Sequence, residues 1–355
     1  MELNALREKI NQIDSELLEL LNNRMSVVKD IGLMKQRNNA IVYRPEREKW
    51  IIDRLEELNR NNLLNREAIE AIFLEIFAVS RNIELPERIS YLGPEGSFTH
   101  QAAESRFGAM GEYIALPTIK AIFDSIETER VRFGIVPIEN NQEGSVTDTI
   151  DQLCTRDVKI VAEIPMPIHF TFASSENNLH NIETILSKDI AFRQCRHFIE
   201  DHFGNEVKCI EVTSTSKAAR LAKEQPNSAA ICSHIAAKLY DLPVLFKNIE
   251  DTHHNRTRFL ILGKNVLNQP GEKDKTTILA RISDMPGALV DFLYEFKTAG
   301  VNLTKVESRP AKEGDKFKYW FLIDFDGHYK DEKVIPIFDK YAEQINFLGS
   351  YVKLC

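Results

Sequence analysis

The sequence predicts a multidomain chain of three consecutive segments that differ in fold class. They are an all-α helical segment over residues 1–86, an α/β segment over 88–265 and an α+β, ferredoxin-like segment over 276–355. Three observations carry this reading. Apolar residues recur at steps of three and four through the first segment, short apolar runs alternate with helical stretches through the second, and the third reads strand–helix–strand–strand–helix–strand. A chain of 355 residues has the length for two or three cores rather than one.

In the first segment Leu3, Leu6, Ile10, Ile13, Leu17, Leu20, Val27, Ile31 and Met34 form one stripe, which predicts a single long helix ending at Asn38-Asn39. Its length exceeds that of a usual globular helix and predicts a coiled-coil-like partner. A second helix is expected from Pro45, a good first-turn residue, with Ile51, Ile52, Leu55 and Leu58 inward. A third is expected from Arg66 to Glu84 with Ile69, Ile72, Phe73, Ile76 and Val79 inward, and Leu85-Pro86-Glu87 reads as a boundary. In the α/β segment strands are expected at 88–92, 112–116, 132–137, 158–164, 207–212, 228–233 and 257–263, with helices including 97–107, 118–128, 189–203 and 214–224. Asn268 to Lys275 reads as a polar linker. The last segment should carry strands over 276–282, 302–307, 317–325 and 347–353 and helices over 287–299 and 332–345.

Composition narrows the function. A net charge of −8 without a run of Lys or Arg excludes nucleic acid as a partner. It also means that an anionic substrate must meet a local cluster of cations. The first residues hold no apolar signal core, and no apolar run nears the roughly 20 residues of a membrane span, so a cytoplasmic protein without membrane contact is expected. The five cysteines show neither a CxxC pair nor metal spacing, which points to reduced thiols. His253 and His254 lack a third ligand at proper spacing. No metal and no cofactor are expected.

The first helix places Arg24 within its apolar stripe, and Lys35, three turns further on, shares its face. Arg47 and Glu48 open the second helix, and Ser80 and Glu84 form an i,i+4 pair on the third. Inward cations among hydrogen-bonding groups suit a small dicarboxylate. The competing readings are a solvated hairpin with snorkelling Arg and Lys, or a structural dimer seam.

Leu6-Arg7-Glu8-Lys9-Ile10, Arg24, the Ile31-Gly32-x-x-Lys35 step and Arg47-Glu48 together resemble the all-helical chorismate mutase family over the whole segment. The resemblance implies that Arg7 and Arg24 hold substrate carboxylates, that Lys35 and Glu84 face the ether oxygen, and that Arg47, Glu48 and Ser80 complete the pocket. Arg7 and Arg24 lie 17 positions apart, about 25 Å along one helix, so both can grip one small molecule only if Arg7 comes from a second chain. A homodimer or a higher homo-oligomer is therefore expected. Many members of the family have Gln where Glu84 stands. A carboxyl group helps an ether oxygen when protonated, which predicts a mutase rate that rises as pH falls below neutral.

In the α/β segment, Gly93-Pro94-Glu95-Gly96-Ser97-Phe98-Thr99, Pro137-Ile138-Glu139-Asn140 and Thr213-Ser214-Thr215-Ser216 each follow an expected strand and lead into a helix. Free N–H groups and hydroxyls at such junctions bind anions, although a Ser or Thr there is more often a simple cap. Thr257-Arg258-Phe259 opens a strand, and Arg258 offers a fixed charge suited to a carboxylate. No GxGxxG and no P-loop is present, which disfavours a dinucleotide-dependent dehydrogenase. In this order the four motifs resemble prephenate dehydratase across the segment. That implies two lobes and a cleft, like type II periplasmic binding proteins, and it implies Thr257 as the group that protonates a departing hydroxyl. Ser97, Glu139, Asn140, Ser214, Thr215 and Arg258 would bind prephenate. The family often has His-Pro where Lys188-Asp189 stands, which removes support for a substrate role of that loop. Cys195 reads as a packed thiol.

Gly287-Ala288-Leu289-Val290 and Glu307-Ser308-Arg309-Pro310 resemble the phenylalanine-binding signatures of ACT domains attached to dehydratases. The resemblances together imply chorismate to prephenate to phenylpyruvate, with L-phenylalanine as effector. Two readings compete with this one: a dehydratase whose helical segment is an inert dimerisation arm, and a non-enzymatic amino-acid sensor.

Overall fold

A computed structural model of the chain describes residues 3–37, 43–60, 63–86, 88–204, 206–252, 254–311 and 318–353. The chain divides into two compact units, residues 1–87 with 107–112, and residues 88–106 with 113–355.

The first unit is built on α1 (Leu3–Arg37), α2 (Pro45–Leu58) and α3 (Arg66–Glu84). Pro45 starts α2, with Glu46 and Glu48 in its first turn where the helix dipole favours them. Asn65 caps α3 by accepting from the Ala68 N–H at 2.9 Å. The core gathers Ile52, Ile69 and Phe77, with Ile51, Leu55 and Phe73 against them. Ile72, expected inward, is 48% exposed, and the core-facing row is Ile69, Phe73 and Phe77. The α1 stripe is bare in a single chain: Leu3, Leu6, Ile10, Ile13, Leu17 and Leu20 are each between 42% and 66% exposed. The expected break at Asn38-Asn39 lies outside the described residues.

Residues Phe107–Glu112 also pack in this unit. Phe107 is buried with its ring 5.2 Å from that of Tyr43, itself fully buried. Gly108 follows at φ +77°, and a Cβ there would overlap the Ala78 methyl. Glycine is thus required twice, by backbone conformation and by close approach. Gly108→Val should destabilise the helical unit by about 2 kcal/mol or more. Thermal unfolding followed by the loss of mutase activity checks this.

The second unit opens with β1 (Arg88–Leu92), α4 (Phe98–Phe107), β2 (Glu112–Leu116), α5 (Ile119–Glu127), β3 (Phe133–Asn140), β4 (Gly144–Ser145), α6 (Thr147–Thr155) and β5 (Lys159–Pro167). It continues with β6 (Thr171–Ser174), β7 (Thr184–Ser187), α7 (Asp189–Gln194), α8 (Arg196–Phe203), β8 (Lys208–Glu211), α9 (Thr215–Glu224), β9 (Ser228–Cys232), α10 (His234–Leu239), β10 (Val244–Lys247) and β11 (Arg256–Gly263). One sheet runs β2-β1-β3-β11-β5, with β4 on β3, and a second runs β10-β6-β9-β7-β8. The chain leaves the first sheet after β5 and returns as β11, so two lobes are joined by two crossings. The expected helix over 189–203 is broken at Cys195, where the Asp251 carboxylate accepts from the Arg196 and His197 N–H groups and starts α8 anew.

The last stretch is β12 (Asp274–Arg281), α11 (Ala288–Thr298), β13 (Leu303–Ala311), β14 (Lys318–Asp326), α12 (Ile335–Lys340) and β15 (Ile345–Val352). Its antiparallel sheet has the order β13-β14-β12-β15, the order of the split βαβ pattern. Strand alternation gives this sheet two buried faces. Ile278, Ala280, Ile323 and Phe325 pack under its own helices, whereas Leu279, Leu322, Leu348 and Tyr351 join the core of the first lobe. The expected polar linker is correspondingly not free. Asn268 is buried and donates to the Val161 and Ser350 carbonyls, and Asp274 and Lys275 already belong to β12. α12 is shorter than the helix expected over 332–345.

Candidate active sites

In the helical unit, α1 and α3 meet closely at Gly32, where a Cβ would lie 3.1 Å from the Glu84 Cα. That approach lets Lys35 Nζ reach Glu84 Oε2 at 2.8 Å. One turn earlier on α3, Ser80 accepts from Arg24 Nη1, and Arg24 lies 5.9 Å from the Phe77 ring. Among the described residues no carboxylate makes an ion pair with Arg24. Burial holds its guanidinium below its ordinary value, with the Glu84 charge opposing. A desolvated cation with a hydroxyl partner is a place for an anion.

Glu48 is placed differently from a free pocket group. It is buried and bonded to Arg81, a residue the sequence reading did not single out. Arg81 in turn lies over the Tyr43 and Phe107 rings. Arg47 is exposed and stacks 4.1 Å from the Trp50 ring. Arg7 is exposed near the start of α1, and α1 is one unbroken helix, so the separation from Arg24 stands.

In the second unit β3 and β11 are antiparallel neighbours with Asn140 opposite Thr257 and Glu139 opposite Arg258. Successive side chains on a strand point to opposite faces, so the two pairs face opposite ways. Asn140 Nδ2 donates to Thr257 Oγ1 at 2.8 Å and to Asn255 Oδ1 at 2.8 Å. Asn140 Oδ1 accepts from the Gln142 and Glu143 N–H groups, which fixes the amide. Asn255 Nδ2 donates to Gln194 Oε1 at 3.0 Å, and Gln194 continues to Gln142. Thr257 is 9% exposed and borders a cavity of about 320 Å³ that Glu139, Asn140, Ser145, Arg256 and Arg258 also line.

Glu139 and Arg258, expected to bind substrate, border the same cavity, and each also has ion-pair partners. Arg258 Nη1 lies 2.7 Å from Asp324 and 3.2 Å from Glu163, and its Nε lies 2.8 Å from Glu139. Burial would weaken this cation, but Asp324, Glu139 and Glu163 outweigh it and hold the guanidinium well above its usual value. Its charge is already matched. Glu139 also accepts from Lys305 on β13; burial opposes its ionisation, and Arg258 and Lys305 together hold its carboxyl below the usual range.

The hydroxyl motifs act first as local structure. Ser97 donates to the Leu92 carbonyl at 2.9 Å and accepts from the His100 N–H. Ser214 caps α9 through the Lys217 N–H, Thr215 is the first residue of that helix, and Ser216 donates to the Glu95 carbonyl. Ser214 lines a cavity of about 560 Å³ together with Gly93, Pro94, Lys217, Arg220 and Tyr240. Cys195 is fully buried, and burial, with Glu250 and Asp251 nearby, pushes its thiol far up, as fits a packed group. Of the histidine pair, His253 lies outside the described residues.

In the last module Gly287 sits at φ +85° before α11, and Val290 is 67% exposed. On β13, Lys305, Glu307 and Arg309 are half-buried and alternate with the exposed Val306, Ser308 and Pro310. Glu307 accepts from Ser145 at 2.6 Å and pairs with Arg309 at 2.6 Å.

Two family models match the chain: chorismate mutase type II over residues 6–85 and prephenate dehydratase over residues 89–266. A bifunctional chorismate mutase/prephenate dehydratase from Aquifex aeolicus is 39% identical over 99% of this chain and 98% of its own. The chain belongs to this bifunctional family. A further member, from Pseudomonas aeruginosa, is 36% identical over the same shares of both chains. A solved prephenate dehydratase from Arthrobacter aurescens, in complex with L-Phe, is 31% identical with a TM-score of 0.67, covering 75% of this chain and 90% of that one. The chain therefore carries an isomerase and a carbon–oxygen lyase. Arg24, Lys35, Ser80 and Glu84 fall inside the mutase match, and Asn140 and Thr257 inside the dehydratase match. Among the described residues no helix is long and apolar enough to cross a membrane.

Proposed function

We propose that each mutase site is completed by Arg7 of a second copy of the chain. We further propose that Thr257 protonates the departing hydroxyl of prephenate, and that the last module is an ACT domain through which phenylalanine restrains the dehydratase. The observation that carries the dehydratase reading is the Asn140–Thr257 hydrogen bond. Asn140 donates, so the Thr257 oxygen accepts and its own proton remains to be given away. Accepting that bond also makes a weak acid stronger. The ring C–O bond breaks, the proton goes to the leaving hydroxyl to form water, and the ring carboxylate departs as CO2. Its bonding pair completes the aromatic ring of phenylpyruvate, and Thr257 recovers a proton from solvent. Ser97, Ser214 and Thr215, at the helix starts, would meet the substrate's anionic groups.

The mutase step needs no nucleophile. Arg24 and the second chain's Arg7 hold the two carboxylates of chorismate in the reactive conformer, and Lys35 donates to the ether oxygen as its bond breaks. Ser80 orients Arg24, and Arg81 holds Glu48. Glu84, which accepts from Lys35 at 2.8 Å, would hold that ammonium toward the ether oxygen.

The bare α1 stripe supports the second chain, because an apolar face of this length is covered in a stable assembly. Complementation tests it. Arg7→Ala and Arg24→Ala homodimers should both be inactive as mutases. Mixed after unfolding and refolding, they should recover about a quarter of the wild-type sites, since each mixed dimer holds one intact site. A mixture as inactive as its components would sink the shared site. In the last module the Gly287–Val290 turn with Ser308 and Pro310 would hold phenylalanine between two copies, while Glu307 and Arg309 point the other way. The reading places the enzyme in the cytoplasm.

A further inference from the structure

We propose that Lys305, on the last module's β13, is a positioning residue for the dehydration step and the relay by which that module acts on Thr257. The proposal rests on the reading of Thr257 given above. Lys305 Nζ touches three acceptors: Glu139 on β3, Ser145 Oγ at 3.3 Å on β4 and Glu307 at 3.1 Å on its own strand. Glu139 and Ser145 are paired across the β3–β4 hairpin, as are Asn140 and Gly144. The ammonium therefore grips both sides of the hairpin whose turn fixes the Asn140 amide. That amide is the donor to Thr257. Glu307 adds a second grip through Ser145, and Arg309 orients Glu307.

Among the described residues the charges around this contact form a linked set. Lys275, Arg258, Lys305 and Arg309 face Glu139, Glu163, Glu307 and Asp324, four cations with four anions. Glu163 and Asp324 are almost fully buried, and Lys275 reaches both Glu163 oxygens at 2.8 Å. Removing Lys305 leaves the half-buried Glu139 and Glu307 carboxylates short of a shared partner and frees the hairpin that carries Glu139. Arg258 is anchored by Asp324 and Glu163 behind it, so that half of the set is rigid. Lys305 belongs to an edge strand whose alternate residues are exposed, so it is the half that a ligand on β13 can move. A displacement of β13 pulls Glu139 and Ser145 together and carries Asn140 away from Thr257.

The test uses the full chain. Lys305→Met and Lys305→Arg are assayed with prephenate for dehydration and with chorismate for the mutase, with and without phenylalanine, and phenylalanine binding is followed by calorimetry. Lys305→Met should lower the dehydratase kcat by about 100-fold with little change in KM. It should still bind phenylalanine but no longer respond to it, and its mutase rate should be that of the wild type. Lys305→Arg should restore both kcat and the response. Ser145→Ala, which removes a single hydroxyl, should blunt the response without lowering the melting temperature. A Lys305→Met protein with wild-type kcat and an intact response overturns the proposal. So does a joint fall of kcat, mutase rate and melting temperature that Lys305→Arg fails to rescue. A wild-type chain inactive on prephenate overturns the reading of Thr257 and this proposal with it, whereas an active wild type and an indifferent Lys305→Met overturn this proposal alone.

Discussion

Thr257→Val should lower the dehydratase rate on prephenate by about 10²- to 10⁴-fold, the usual range for losing a positioned proton donor. Valine keeps the β-branched shape that β11 accommodates at a site 9% exposed, so the fold should survive. The change leaves the Asn140 amide without its Thr257 acceptor, but Asn140 Nδ2 retains Asn255 Oδ1 and the Arg256 carbonyl. The rate loss should therefore report the missing proton rather than a collapsed hairpin. Thr257→Ser keeps the hydroxyl and should retain a large part of the rate. Assays started from prephenate isolate the step, and the mutase rate on chorismate serves as the internal control. A Thr257→Val protein that dehydrates prephenate at the wild-type rate would leave the hydroxyl without a role.

Lys35→Ala should slow the mutase by about 10²- to 10³-fold while the dehydratase keeps its rate on prephenate. The argument is geometric. Lys35 Nζ lies 2.8 Å from Glu84, Arg24 of α1 is bonded to Ser80 one turn before Glu84 on α3, and Gly32 sets the distance between the helices. An ammonium held in a partly buried site is already oriented when charge develops on the ether oxygen, and water would have to reorganise to replace it. Lys35 is 25% exposed, so its loss should perturb stability little. A mutase rate reduced less than threefold would assign the catalysis elsewhere.

What the sequence disclosed followed from length and period. The helical stripe of α1 and the runs at 88–92 and 112–116 are long, regular and bounded by turn residues, and all three stand where expected. β4, β6, β7 and β10, of two to four residues each, were not expected, whereas β8, also of four residues, was expected within 207–212. α6 stands where the junction after Asn140 was expected to lead into a helix, and α10 spans six residues. At the sites, motif residues were legible but their direction was not. The four letters that begin with Glu139 and end with Arg258 on two strands hide a period of two. It turns Asn140 and Thr257 to one face and Glu139 and Arg258 to the other. Arg81, Asn255 and Lys305 gave no local signal, since each matters through a partner distant in sequence: Glu48, Asn140 and Glu139 respectively. An ionisable residue at the inward register of an apolar strand or helix was the available clue, and Arg81 on α3 fits it.

The most direct test of one chain carrying two consecutive steps is product analysis by mass spectrometry after purified protein is given chorismate alone, with and without phenylalanine. The account predicts phenylpyruvate, in an amount that falls when phenylalanine is added. Prephenate that accumulates without phenylpyruvate, or chorismate that remains unchanged, would contradict it.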